Sequence, residues 1–132
     1  MTLDTVMAYC LGKPGAYPDT PFTPFLPVVK VKAPSQAKGR IFAQLLVQGG
    51  VAKVTLNCTP QAAAFYRQRY PGAVTRGWHC PPVMQPHFNT VLLTGEVPDD
   101  ELYRMMDLAY ETVTGKYPKH VQAELKRLSA AP

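Results

Sequence analysis

Two apolar-rich segments of nearly equal length meet at Gly49-Gly50, and their alternation constrains this chain more than any other feature. Arg40–Gln48 and residues 51–58 read as strands, and a two-residue glycine link suits a tight hairpin because glycine takes positive φ without strain. Pairing Gln48 with Val51 sets Val47, Leu45, Ala43 and Ile41 opposite Ala52, Val54, Leu56 and Cys58, an all-apolar face. The other face then carries Arg40, Phe42, Gln44 and Leu46 with Lys53, Thr55 and Asn57, a mixed polar surface expected to meet solvent.

Just upstream, Val29, Val31 and Ala33 alternate with Lys30 and Lys32, the period-two pattern of a half-buried strand. Matching its apolar face to the hairpin, across a loop at 34–39, predicts that Lys30, Lys32, Arg40 and Lys53 share the solvated side of one sheet.

The remaining elements follow from caps and breakers. Thr2 can cap a helix in which Leu3, Val6, Met7, Cys10 and Leu11 recur at helical spacing until Gly12, expected to end it in the left-handed conformation. Residues 13–27 contain five prolines and predict an irregular wrap. Thr59-Pro60 opens a helix to about Tyr70 with Ala62, Phe65, Tyr66 and Tyr70 on its buried side. Short strands are predicted at 74–78 and 90–93, separated by a proline-broken loop. Asp99 is expected to cap a long helix with a buried stripe of Leu102, Met105, Met106, Ala109 and Val113, closed by Gly115. A last helix places Val121, Leu125 and Leu128 inside. The reading is an α+β fold in the order α-β-β-β-α-β-β-α-α, one domain over 1–132, with an antiparallel sheet and helices packed on one face.

A hydrophobic fraction of 46% with 17% charged residues places the 132-residue chain among globular rather than disordered proteins. No apolar run approaches the roughly 20 residues of a membrane helix, and the N-terminus lacks a leader pattern, so no membrane partner is expected. Three widely spaced cysteines, Cys10, Cys58 and Cys80, cannot make a complete disulfide framework and fit a reducing, cytoplasmic setting. The net charge of +5 is uneven: residues 1–95 hold nine Lys/Arg against Asp4 and Asp19, and the rest of the chain is net negative. Such a field favours a polyanion, either nucleic acid or an anionic surface.

No P-loop, dinucleotide-binding glycine pattern, nucleophile elbow or zinc-protease helix motif is present. His79, Cys80 and His87, with the more distant Cys58, could supply zinc ligands or an activated thiol. Pro81, Pro82 and Pro86 and the absence of a Cys-x-x-Cys pair favour instead a loop holding a buried thiol. No catalytic residue, metal or cofactor is therefore expected. Met105 and Met106 read as core filler. Trp78 with Arg76 and His79 could form a stacking and phosphate-binding tip, with a merely exposed strand end as the alternative.

Several phrases resemble the MmcQ/YjbR family of small bacterial proteins: Tyr9-Cys10-Leu11 with Lys13-Pro14-Gly15-Ala16, Asp19 followed by Pro21-Phe22, and Arg40-Ile41-Phe42-Ala43. Further on stand Tyr70-Pro71-Gly72, Gly77-Trp78-His79, His87-Phe88-Asn89-Thr90-Val91 and Leu93-Thr94-Gly95-Glu96-Val97-Pro98. The resemblance implies a frataxin/CyaY-like fold with a double-wing arrangement and a DNA-binding role, and no established catalysis. Where that family carries a basic pair ahead of His-Trp-Asn, this chain has Pro82-Val83-Met84-Gln85-Pro86 ahead of His87-Phe88-Asn89. Its charge therefore points to the sheet more than to this loop.

The expectation is a DNA-binding protein making phosphate contacts from Lys30, Lys32, Arg40 and Lys53, with Arg76 and His79 as loop contacts and no evident sequence readout. Phe42, Trp78, His87 and Asn89 are further candidate contacts. The alternative is a non-catalytic domain that binds another protein or a small ligand through the sheet face carrying Phe42 and Leu46.

Overall fold

The computed structural model describes residues 1–77 and 80–130. In chain order these form α1 (Leu3–Leu11), β1 (Ala16–Asp19), β2 (Val28–Val31), β3 (Arg40–Gln48), β4 (Val51–Asn57), α2 (Pro60–Arg69), β5 (Val74–Arg76), a 3₁₀ turn (Gln85–His87), β6 (Phe88–Leu92), α3 (Asp99–Thr114) and α4 (Lys119–Ala130). The strands make one antiparallel sheet in the order β1-β2-β3-β4-β6-β5.

The hairpin has the register read from the sequence, from Gln48 opposite Val51 to Ala43 opposite Leu56. Gly49 and Gly50 both take positive φ, 60° and 76°, which a two-residue turn between twisted strands demands. The sheet has one strand more than expected. β1 lies inside the proline-rich segment and pairs with β2, Ala16 against Val31 and Asp19 against Val28. Pro18 is tolerated there because β1 is an edge strand, where a missing N–H need not cost a ladder bond.

Between β2 and β3 the register slips at Val29/Lys30: Val29 faces Ala43 whereas Lys30 faces Ile41, so Phe42 is an extra residue on β3. Such a bulge breaks the strict alternation of faces. Phe42 joins Ala43 in the core, fully buried, with its ring edge-on to Tyr110 of α3 at 5.6 Å between centroids. Arg40 falls in line with Val31, another core residue. The expected placement of Phe42 and Arg40 on the polar face is thus overturned by one inserted residue.

α1, α3 and α4 cover one face of the sheet, and the whole predicted stripe of α3 is buried against it. Caps differ in detail. Thr2 and Thr59 accept hydrogen bonds from the N–H groups of Thr5 and Ala62, as expected. Pro98, not Asp99, stands at the cap of α3, and Asp99 lies in the first turn, where its charge suits the helix dipole. Gly12 and Gly115 stay right-handed, their N–H groups bonded back into the last turn. Phe65 is 54% exposed and Leu128 also faces out, both contrary to expectation.

The second sheet face is not solvated as expected. Val28, Leu46, Thr55 and Thr90 are buried there, and the Thr55 and Thr90 hydroxyls share a hydrogen bond of 2.8 Å. Segments 20–27 and 80–87 lie over it, meeting β3 and β6 around Gln44 and Phe88. No described helix is long and apolar enough to cross a membrane.

Burial sets the alkaline limit of this fold. It pushes the Cys10 thiol and the Tyr110 phenol up to about 12, Cys58 up to about 11, and Tyr117 upward as well. Each of these groups is folded in its protonated form, so the unfolded chain releases the protons first, from the ordinary 9.0 for thiols and 10.0 for phenols. The stabilisation is complete below pH 9 and is lost as pH rises toward about 12. Denaturant midpoints measured from pH 7 to pH 11 are expected to fall only beyond about pH 9; a flat profile would contradict this burial.

Candidate nucleic-acid interface

The four cations expected on one sheet face do not assemble there. Lys30 forms an ion pair with Asp19 of the neighbouring β1 at 2.7 Å, which holds the Asp19 carboxyl below its ordinary range and raises Lys30. Lys53 donates to Gln48 at 2.9 Å near the hairpin turn. Along β3 the partners of Lys30 and Lys53, Ile41 and Leu46, are five residues apart, about 17 Å at strand rise. Arg40 has been turned away by the bulge. Lys32 follows β2 and lies 5.7 Å over the ring of Tyr17.

A different basic surface forms at one end of the sheet. Tyr117, between α3 and α4, is buried; its hydroxyl donates to the Val31 carbonyl at 2.7 Å and accepts from the Arg40 N–H at 3.2 Å. The Arg40 guanidinium lies over the same ring at 5.6 Å. Next to it, the Tyr17 hydroxyl accepts from the Gly39 N–H at 3.0 Å. These bonds tie Tyr117, with Lys116 and Lys119 on either side of it in the chain, to Arg40 and to Val31, whose chain neighbour is Lys32, and tie Tyr17 to Gly39, whose chain neighbour is Lys38. Lys38, Arg40, Lys116 and Lys119 are exposed, and among the described residues none of the five cations is in an ion pair. Glu124 of α4 is engaged by the Ser35 hydroxyl and N–H.

Sequence reasoning passed over Lys38, Lys116 and Lys119. A signal existed in Lys116-Tyr117-Pro118-Lys119, two cations flanking an aromatic at a helix break. Joining it to Arg40 required a contact across 77 residues.

The other expected contacts scatter. Arg76 is exposed at the end of β5, opposite Asn89. Asn89 is buried and occupied: its Oδ1 accepts from Arg67 at 3.0 Å and its amide donates to the Ala63 carbonyl at 3.2 Å, locking α2 to β6. Phe42 is in the core. His87 is half-buried in the 3₁₀ turn, and its carbonyl accepts from the Cys58 N–H at 2.8 Å. Trp78 and His79 lie outside the described residues.

Lys13 also points inward. It bonds Asp107 of α3, which accepts from Tyr9 at 2.6 Å, and it sits 5.0 Å over the Tyr9 ring and 5.9 Å from the Tyr110 ring. Burial raises the Cys80 thiol, as it does Cys10 and Cys58. A nucleophilic thiol needs the opposite shift, toward thiolate.

The YjbR family model matches residues 11–112. Escherichia coli K12 protein YjbR, described as uncharacterized, is 26% identical over 128 residues, 97% of this chain and all of that protein. A crystal structure of Deinococcus radiodurans protein DR2400, described as domain DUF419, superposes with a TM-score of 0.82 at 28% identity, covering 95% of this chain and 88% of that one. A Pseudomonas syringae protein at 18% identity shares the fold with a TM-score of 0.67, over 86% of this chain and 99% of its own. With 102 of the 132 residues inside the family model, the chain belongs to the YjbR family.

Proposed function

We propose that this protein is a non-catalytic DNA-binding module that grips phosphates with the basic end of its sheet. The supporting observation is the set of Lys32, Lys38, Arg40, Lys116 and Lys119 around Tyr17 and Tyr117, without an acidic partner among the described residues. Backbone hydrogen bonds to the two tyrosines hold Gly39 and Arg40 in place, so the surface is preorganised. Phosphate contacts of this kind position a duplex without reading bases. The helix-covered antiparallel sheet supports a variant of the frataxin/CyaY-like double-wing fold, and three free thiols support a reducing, cytoplasmic setting.

Five phosphate contacts predict that the logarithm of duplex affinity falls against the logarithm of salt with a slope of about −4.5. Fluorescence anisotropy with a short duplex measures it. Reversing Lys38 and Lys116 to Glu is expected to remove at least two contacts and flatten the slope to about −2.7. Reversing Lys53, far along the sheet, is expected to leave it nearly unchanged. Equal losses from all three reversals would reject a localised interface in favour of general charge attraction.

A further inference from the structure

Segments 20–27 and 80–87 contain no Lys, Arg, Asp or Glu, although they come from a chain of net charge +5. Between them and the sheet lies a cavity of about 250 Å³, walled by Phe22, Leu26, Cys80 and Met84, with Gln44 and Phe88 on the sheet side. The Gln44 carboxamide has no hydrogen-bond partner among the described residues, whereas its ladder partner Thr55 is bonded to Thr90. An apolar slot with one unspent donor and acceptor on its floor selects its occupant. A charged group would lose its hydration without compensation, and an aliphatic one would leave the carboxamide unpaired. A flat, uncharged heteroaromatic ring satisfies both the aromatic walls and the amide. In nucleic acids a glutamine amide pairs two-pronged with the N6 and N7 edge of adenine.

We propose that this cavity receives a single unstacked adenine base, so that the protein takes one base out of a strand while its basic end holds phosphates. The base site extends the nucleic-acid reading but is testable without it. Phe22 is 60% exposed at the rim and can stack on an entering ring, a contact every base offers, while Gln44 supplies the preference among bases.

The test uses adenosine, which carries no phosphate, titrated into isotope-labelled protein and followed by amide NMR. Shifts are expected at the Gln44 side-chain amide and around Phe22 and Phe88, with uridine at least about fivefold weaker. Gln44→Leu is expected to weaken adenosine about tenfold, and Phe22→Ala, at an exposed position that spares folding, to weaken adenosine and uridine alike. Reversing Lys38 and Lys116 should not alter adenosine binding. Absence of shifts at about 10 mM adenosine, or equal affinity in Gln44→Leu, overturns the base site whatever the salt slope of duplex binding. Adenosine binding together with no duplex affinity upholds the base site and overturns only the phosphate-gripping role.

Discussion

Replacing Phe42 by alanine is expected to lower the unfolding free energy by about 4 kcal/mol, the cost of emptying a fully buried phenyl site. Alternation along β3 would put this ring on the polar side, where its loss would be worth at most about 0.5 kcal/mol. The bulge at Val29/Lys30 turns it inward instead, between the sheet and the Tyr110 ring. Phe65→Ala is the matched control. Helical spacing assigns it to the buried side of α2, yet it is 54% exposed, and its replacement is expected to cost no more than about 0.5 kcal/mol. Urea denaturation of the two variants compares two phenyl groups whose roles are interchanged between pattern and structure. Similar losses in both would show that the bulge does not move Phe42 into the core.

Gly15→Ala is expected to cost about 3 kcal/mol and to lower the melting temperature by roughly 10 °C. Two penalties combine. Gly15 has φ of 75°, a region an alanine enters only under strain. A Cβ there would also lie 2.4 Å from the Lys32 carbonyl oxygen, a backbone atom that cannot swing aside, and 2.5 Å from Leu125 of α4. The Gly15 carbonyl meanwhile accepts from the Lys32 N–H at 3.1 Å, so relief of the clash would strip a bond from the edge of the sheet. Gly49→Ala, with φ of 60° but nothing within 4 Å of its Cβ, isolates the conformational penalty alone and is expected to cost about 1 kcal/mol. Thermal melts of both variants measure the difference, and equal shifts would exclude the steric contribution at Gly15.

Gly15→Ala also bears on the interface. Gly15 positions Lys32, and Tyr117 positions Arg40, so the basic end depends on the packing beneath it. Lys13, counted among the early cations, belongs to that packing, held by Asp107 and the rings of Tyr9 and Tyr110.

Features that depend on neighbours within a few residues were legible in the sequence. The Gly49-Gly50 hairpin and its register, the capping of α1 and α2 by Thr2 and Thr59, and the buried stripe of α3 all follow from local alternation, local hydrogen bonds and a single period. Tertiary structure alone decided which way a side chain faces once that period is interrupted. The bulge adds one residue to β3, and because strand alternation has a period of two, a single addition reverses the faces on one side of it, here those of Ile41 and Arg40 ahead of Phe42, while residues 43–48 keep theirs. It buried Phe42, moved Arg40 from the expected cationic sheet face to the end of the sheet, and brought it to Tyr117 and its flanking lysines, 77 residues away. Likewise, nothing local in residues 20–27 or 80–87 says that they cover the second sheet face. That surface, with its buried Val28 and Leu46, could not have stayed in water without cover, and only the folded chain supplies the segments that close over it.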